Sequence, residues 1–556
     1  MLLLVAIGCV RAPAPAPAPA PATTSGHLLT VTPVPVPEGA AQREVRVATE
    51  ASLDGAPFVL GYQPIARTGD RIGGAVFGAR TSRSGAAIPE VCEGLDYTGL
   101  WKASTGLAMV THFECQPGAV YLTALDAAAD GTLRATSTRA VDTGAIGGGG
   151  LYCAGSPSPW DTHLAGQEYE ANVRKLLPDG TVSDNFEGYN ELAAWWDGDL
   201  SAAHPWMYGW MVEVPPEGPP ARRWAMGRFS HEIAQVMPDE RTVYLTDDSP
   251  DASAFFLFQA DLPRDLSAGT LYAARFTEGA EGYGVSWVSL GHATDAEVSA
   301  VVDRRAAFTD LFDVAEPVGT TCPDGLGYIN VNWGPECLRI RPGMAPAASR
   351  LESRRAAALA GATTELVKNE GLAFAPEERS LFLAVSRISN GATAAHPVWD
   401  AGGRDDVRLP ANRCGSVWRM DLGEGAAVLP SGPYVVTAAR TLVSGVEEGK
   451  ACATDAIANP DNLAWIPGTG TLAIAEDTGH HVNNALWFYD LHRGALVRVL
   501  TAPVGAEVSG LRWTPDVAGR SYLSVGIQRP FSDDPTATET EKHSVAGVLG
   551  PFPAWK

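Results

Sequence analysis

No Cys-x-x-Cys pair occurs in the chain, which argues against the common structural zinc site built from closely spaced thiolates. No Gly-x-Ser-x-Gly element occurs either, so the strained turn that exposes a hydrolase serine has no candidate. The glycine run at residues 147–150 is followed by no Walker lysine, which leaves it as a turn. Basic residues are scarce: 41 Lys and Arg stand against 64 Asp and Glu in 556 residues, a formal net charge of -23. A surface of that sign repels nucleic acid and anionic lipid, so no nucleic-acid partner is expected. An anionic substrate would need a local source of positive charge, which bound metal ions could supply. Helical periodicity is rare too. Its clearest instance, residues 349–361, reads as an insertion between strand repeats.

At the N-terminus, residues 2–10 are apolar but too few to span a bilayer. They resemble the hydrophobic region of a secretory signal. Ala6-Ile7-Gly8-Cys9 resembles a bacterial lipobox, which would make Cys9 a lipidated membrane tether, although no Lys or Arg precedes the run and Ala6 stands where Leu is usual. The Ala-Pro repeat that follows is a stiff, extended spacer. The expected organisation is a signal or lipobox-like segment at 1–9, an Ala/Pro-rich linker at 10–35 and a single domain at 36–556. The expected protein is a monomer, exported to the periplasm or the cell surface.

Of the eight cysteines, removing Cys9 leaves an odd number. Neighbours in sequence give the pairs Cys92–Cys115, Cys322–Cys337 and Cys414–Cys452, as an oxidising compartment allows. Cys153 is left over. It lies in LYCAGSPSPWDTHLAGQE, a stretch that Glu168 closes. A thiolate and a carboxylate brought to one place suit a transition metal.

Four segments share a pattern: HEIAQVMPDERTVYLTDD (231–248), NEGLAFAPEERSLFLAVS (369–386), PDNLAWIPGTGTLAIAED (460–477) and VSGLRWTPDVAGRSYLSV (508–525). In each, an apolar strand-like run ends at a Pro, a polar turn follows, and a second alternating run comes after it. This is the signature of a β-hairpin, and recurring hairpins predict an all-β repeat of the propeller type. The position six before Pro carries Glu232, Glu370, Asp461 and Ser509, and sixteen residues later the first three copies carry Asp248, Ser386 and Asp477. Equivalent positions of a propeller are related by rotation about its axis, so these acids should converge. Buried carboxylates crowded together cannot all ionise without cations. Carboxylate oxygens favour calcium, and the thiolate asks for a softer ion such as iron.

These residues resemble the PhoX-type alkaline phosphatase family. CAGSPSPWDTHLAGQE is similar to the family's segment around its ligating cysteine, and residues 227–276 resemble its longest shared block. HPWMYGWMVEV, the Glu370 segment, NPDNLAW and IQRPF extend the likeness over most of residues 90–535. The resemblance implies an exported six-bladed β-propeller, here with insertions between blades, carrying an iron and calcium cluster at its axis. It also implies hydrolysis of small phosphate monoesters, with a metal-bound oxygen as nucleophile. Carried over by position, Cys153, Glu168 and Glu232 would ligate or bridge to iron. Asp248, Glu370, Asp461 and Asp477 would be calcium ligands, and Lys368 would hold a phosphate oxygen. Lys368 and Glu232 are thus the expected catalytic residues.

The chain departs from the family pattern at Gln167, where Glu is usual, at Asp161 and His163, and at Lys368, where Arg is usual. Lysine cannot make a bidentate contact to phosphate. Two other readings stay open. One is a calcium-dependent lactonase propeller, which NPDNLAW would also fit. The other is a non-catalytic, calcium-stabilised binding propeller.

Overall fold

The structure is a computed structural model and describes residues 26–186, 188–423, 432–532 and 534–555. The lipobox-like segment at 1–9, Cys9 included, lies outside the described residues. Short antiparallel strands and tight turns build six blades, as expected of a six-bladed β-propeller: three are separate four-stranded sheets, one has a fifth strand, and two are joined in a nine-stranded sheet. The two innermost strands of each blade position the site. They are Leu95–Ala103 and Gly106–Phe113 in blade 1, Leu151–Pro157 and His163–Glu168 in blade 2, and His231–Val236 and Thr242–Asp247 in blade 3. Blade 4 has Asn369–Ala375 and Ser380–Val385, blade 5 Pro460–Ile466 and Thr471–Glu476, and blade 6 Glu507–Val517 and Arg520–Gln528. Each first strand packs against the first strands of the blades on either side, and blade 6 returns to blade 1.

Inner strands are covered on both faces. Pro460–Ile466 is buried along its whole length, which is why PDNLAWI reads as a nearly continuous apolar run. The turn after it, Pro467 to Gly470, holds Gly468 and Gly470 at φ +75° and +67°, the left-handed region that glycine enters at no steric cost. Apolar clusters fill the gaps between blades. Phe382 and Trp465 meet between blades 4 and 5, and Phe488, Trp513 and Val525 between blades 5 and 6. Burial of each such side chain is worth roughly 1.5–3 kcal/mol, and this burial holds the ring together.

Closure uses the start of the chain. Gly61–Arg67 pairs with Val545–Pro553 and becomes the outer strand of blade 6, covering the edge of the strand before it. The linker expected to extend to residue 35 is shorter than that. Leu29–Val31 pairs with Glu50–Leu53, and Leu29 and Val34 are buried against the propeller, because these apolar side chains interrupt the Ala-Pro composition.

Blades 3 and 4 are joined by a long hairpin, Asp265–Gly279 and Gly282–Thr294, which pairs with Val435–Ser444 of blade 4. Residues 295–368 form an insertion after it. The expected helix at 349–361 is two short helices, Ala345–Leu351 and Ser353–Leu359, broken at Glu352. All three expected disulfides are present and Cys153 is free and buried. Among the described residues no helix is long and apolar enough to cross a membrane.

Candidate metal centre

All six inner hairpins carry the same β-bulge. Pairing slips by one residue after Leu95 in blade 1, Tyr152 in blade 2, His231 in blade 3, Asn369 in blade 4, Pro460 in blade 5 and Ser509 in blade 6. A bulge re-aims the side chain that follows it. The following residues are Asp96, Cys153, Glu232, Glu370, Asp461 and Gly510. Five of the six blades therefore present an acid or a thiol at one level of the axis.

These groups meet. Asp96, Cys153 and Glu232 place one ligand atom each within 4.8 Å of one another, and so do Glu232, Glu370 and Asp461. A third such group is Asp96, Asp461 and Glu507. Cys153 Sγ lies 2.6 Å from Glu232 Oε2. Asn462 Nδ2 donates to Asp461 Oδ1 at 2.9 Å and its Oδ1 accepts from the backbone N–H of Gly510.

Ser509, expected in this ring, is not its sixth member. Its hydroxyl donates to Leu95 O, and Gly510 occupies the equivalent place. Pro515 marks a turn poorly, because it sits in a second bulge inside the strand, so counting back from it misplaces the register by one. Gly510 has φ +64°, and a Cβ there would collide with the backbone of Thr98. Blade 6 can approach blade 1 only with glycine at this point.

A second level lies where the partner strands end. Glu114, Glu168, Asp248, Ser386 and Asp477 each follow the residue paired with the start of the bulge in blades 1 to 5. Lys368 Nζ bridges Asp248 Oδ2 at 2.6 Å and Glu370 Oε1 at 2.9 Å, linking the two levels. Tyr169 donates its hydroxyl to Asp248 Oδ2 at 3.3 Å. Arg529 Nη2 pairs with Glu114 Oε2 at 2.8 Å, and Gln528 Nε2 bonds Glu114 and Glu507, each at 3.0 Å. Asp477 is exposed and lines the mouth, in a cavity of about 650 Å³ shared with Glu507, Gln528 and Arg529.

The electrostatics demand positive charge. Burial and the neighbouring acids push Glu232, Glu370, Asp461, Glu168 and Glu507 well above the carboxylate range. Burial, then Glu114, raises Asp96 to about 8. Burial, then Asp96 and Glu168, holds the Cys153 thiol protonated. Asp248 is the exception. Burial raises it, but Lys368 and the hydrogen bonds from Glu168, Lys368 and Tyr169 outweigh burial and lower it. Burial also opposes the charge on Lys368, and Asp248 and Glu370 outweigh it.

Asp96 Oδ2 and Asp248 Oδ1 are buried without a hydrogen-bond partner. Buried carboxylate oxygens in that condition are costly unless a cation meets them. Oxygen donors with one sulfur among them fit hard calcium and a softer iron, so the residues present suit the expected ions.

The expected residues Cys153, Glu232, Glu370 and Asp461 are brought together. Glu168, Asp248 and Lys368 adjoin them, and Asp477 stands at the rim. Gln167 points away from the axis, accepting from the backbone N–H of Gly209 and Trp210, so that departure does not touch the cluster. Asp96, Glu114, Asn462, Glu507 and Arg529 were not anticipated. Asp96 has no Pro six residues on, and Arg529 lies within the quoted IQRPF. Cys153 does have Pro159 six residues on, a signal that places it in the repeat.

A search of curated proteins finds no match. Among solved structures, the fold is similar to Pseudomonas fluorescens PhoX in complex with vanadate, a transition state analogue, at TM-score 0.64 and 17% identity over 94% of this chain and 98% of that one. A Trichoderma reesei carbohydrate-active enzyme of family AA12 gives TM-score 0.33 and 10% identity over 88% and 96%. A putative 6-phosphogluconolactonase of Bacteroides fragilis gives 0.32 and 11% over 87% and 94%. The family model for alkaline phosphatase PhoX matches residues 119–530, a span that holds every expected site residue from Cys153 to Asp477. The chain belongs to the PhoX family of alkaline phosphatases, which are phosphomonoesterases.

Proposed function

We propose that this chain is an exported phosphatase that cleaves small phosphate monoesters at the axial cluster with iron and calcium as cofactors. The observation that carries the reading is the convergence of Asp96, Cys153, Glu232, Glu370, Asp461 and Glu507 in three overlapping ligand groups. Cys153, Glu232 and Asp96 would hold iron, with Glu168 adjoining. Glu370, Asp461, Asp248 and Glu507 would hold calcium, and Asp477 would complete the set from the rim. Bound there, such cations polarise phosphoryl oxygens and lower the pKa of water.

The chain's own residues supply the rest. Lys368 is 20% exposed and spends two of its three ammonium hydrogens on Asp248 and Glu370. The third is free to meet a phosphate oxygen as a point charge. Lys368 also takes up φ +51°, a strained conformation for a lysine. Arg529, 44% exposed at the mouth, would draw the anion through a surface of the wrong sign. Asn462 fixes Asp461, and the packed inner strands keep bulk water from the walls of the cluster.

Three disulfides support an oxidising, extracellular setting. Tethering through Cys9 extends that reading to residues outside those described. A lactonase propeller has no use for a thiol among its ligands, and the place of Cys153 favours the phosphatase. The test is turnover of p-nitrophenyl phosphate against a lactone, with iron and calcium supplied. Phosphate release alone is expected. Lactone cleavage alone would replace this reading, and calcium-dependent stability without turnover of either would favour a binding propeller.

A further inference from the structure

The insertion at 295–368 sends one guanidinium into the wall of the site. Arg354, on the helix Ser353–Leu359, is 2% exposed. Its Nε and Nη2 each lie 2.8 Å from a different oxygen of Asp247, a bidentate contact. Its Nη1 lies 2.8 Å from Glu170 Oε1, and its Nη2 is 3.2 Å from Glu170 Oε2. Asp247 and Glu170 are 0% and 3% exposed. Asp247 also accepts from the backbone N–H of Ala254.

Neither acid faces the axis, yet each is tied to one that does. Asp247 immediately precedes Asp248, and Glu170 is two residues beyond Glu168. Glu168 and Asp248 belong to adjacent blades and lie close enough for each carboxyl to shift the other's titration. Glu168 is the last residue of its strand, paired with Leu151, and Asp248 lies one residue beyond its own, so the ladders hold these side chains only from one side. Arg354 spans the two strand ends and fixes their separation.

We infer that Arg354 is a positioning residue: its fork clamps Asp247 and Glu170 and thereby holds Glu168 and Asp248 at the spacing the cations require. This inference rests on the reading of the axis as a metal centre. Its neighbour Arg355 provides the contrast. Arg355 is equally buried and pairs with Glu336 and Glu352, both within the insertion, although one N–H also reaches Asn172 Oδ1 at 3.2 Å. Trp333 lies under both guanidiniums, 5.5 Å from Arg354 and 4.2 Å from Arg355. Arg355 therefore anchors the insertion, and Arg354 carries it to the site.

The experiment compares Arg354→Lys, Asp247→Asn and Arg355→Lys with the wild-type protein. Lysine keeps the charge but cannot grip two carboxylates with a planar fork. The readouts are calcium affinity by titration calorimetry on metal-stripped protein, the iron–thiolate absorption band and thermal stability. Loss of an outer partner of a ligand typically weakens metal binding about 10–100-fold. Arg354→Lys and Asp247→Asn should weaken calcium binding by about that factor while the thiolate band persists, because Cys153, Glu232 and Asp96 do not depend on this clamp. Arg355→Lys should lower thermal stability and leave calcium affinity unchanged. Wild-type affinity in both clamp variants, or an equal loss in Arg355→Lys, overturns the inference and leaves the metal centre standing. A wild-type protein that takes up neither ion overturns both.

Discussion

Cys153 Sγ and Glu232 Oε2 lie 2.6 Å apart although 79 positions separate the residues in sequence. They hold the same place on adjacent blades, each the first residue within the same bulge. The Cys153 thiol donates to the Glu232 carboxylate, which sets a sulfur and an oxygen donor side by side at the axis.

Cys153→Ala should therefore abolish iron binding without unfolding the protein, since Cys153 belongs to none of the disulfides. Calcium should remain, held by Glu232, Glu370 and Asp461. Elemental analysis beside a thermal melt checks both halves. Full iron content in the variant would remove the cysteine from the site.

Gly510→Ala should destabilise the propeller by about 2–5 kcal/mol, the sum of a left-handed backbone penalty and an overpacked contact with Thr98. The midpoint of chemical denaturation reports it. A change under about 0.5 kcal/mol, the usual size at neutral surface positions, would mean that blades 6 and 1 do not approach so closely.

The metal-free protein should lose stability as pH rises. Glu168, Glu232, Glu370 and Asp461 have raised values in the folded state, and Asp96 is raised to about 8. The folded chain thus binds more protons than the unfolded chain above about pH 4, the ordinary carboxylate range, and stability falls with rising pH wherever that holds. For Asp96 the window runs from about 4 to about 8. Melting temperatures from pH 5 to 8 should fall steeply without metal and far less with calcium and iron present. A flat metal-free profile would mean that the acids are already compensated.

Lys368→Met should lower kcat/KM for p-nitrophenyl phosphate by about 10²-fold, the usual scale for removing a group that stabilises developing charge. Lys368→Arg should keep most of the activity, because a guanidinium can still reach Asp248, Glu370 and a phosphate oxygen. Unchanged kinetics in the methionine variant would make Lys368 a purely structural counterion.

Much of the site was legible because the propeller repeats its local chemistry. Glu232, Glu370 and Asp461 share one offset from a turn proline, and the turn sets how far up the strand each side chain sits. Asp96 escaped that count, since its hairpin closes through Ser104-Thr105-Gly106 without proline. Glu507 escaped it because blade 6 fills its ring position with glycine and offers an acid three residues earlier. Ser509 was misplaced because Pro515 lies in a bulge, and a bulge adds a residue without any mark in composition. Arg354 was beyond sequence reasoning altogether. SRLESRRAAALAG reads only as a helix in an insertion between strand repeats, and the packing of that insertion against blades 2 and 3 is what buries its arginines.

Local pattern alone determined that this chain would make hairpins, that one cysteine would stay unpaired and that acids would recur at a fixed step, because turn residues and strand alternation act over a few positions. Tertiary structure decided which recurring side chains share a point in space. That depends on the bulge in every inner strand, on the close approach of blade 6 to blade 1 and on a strand from the N-terminal region closing the ring. Those contacts join residues hundreds of positions apart, and no short-range rule specifies them.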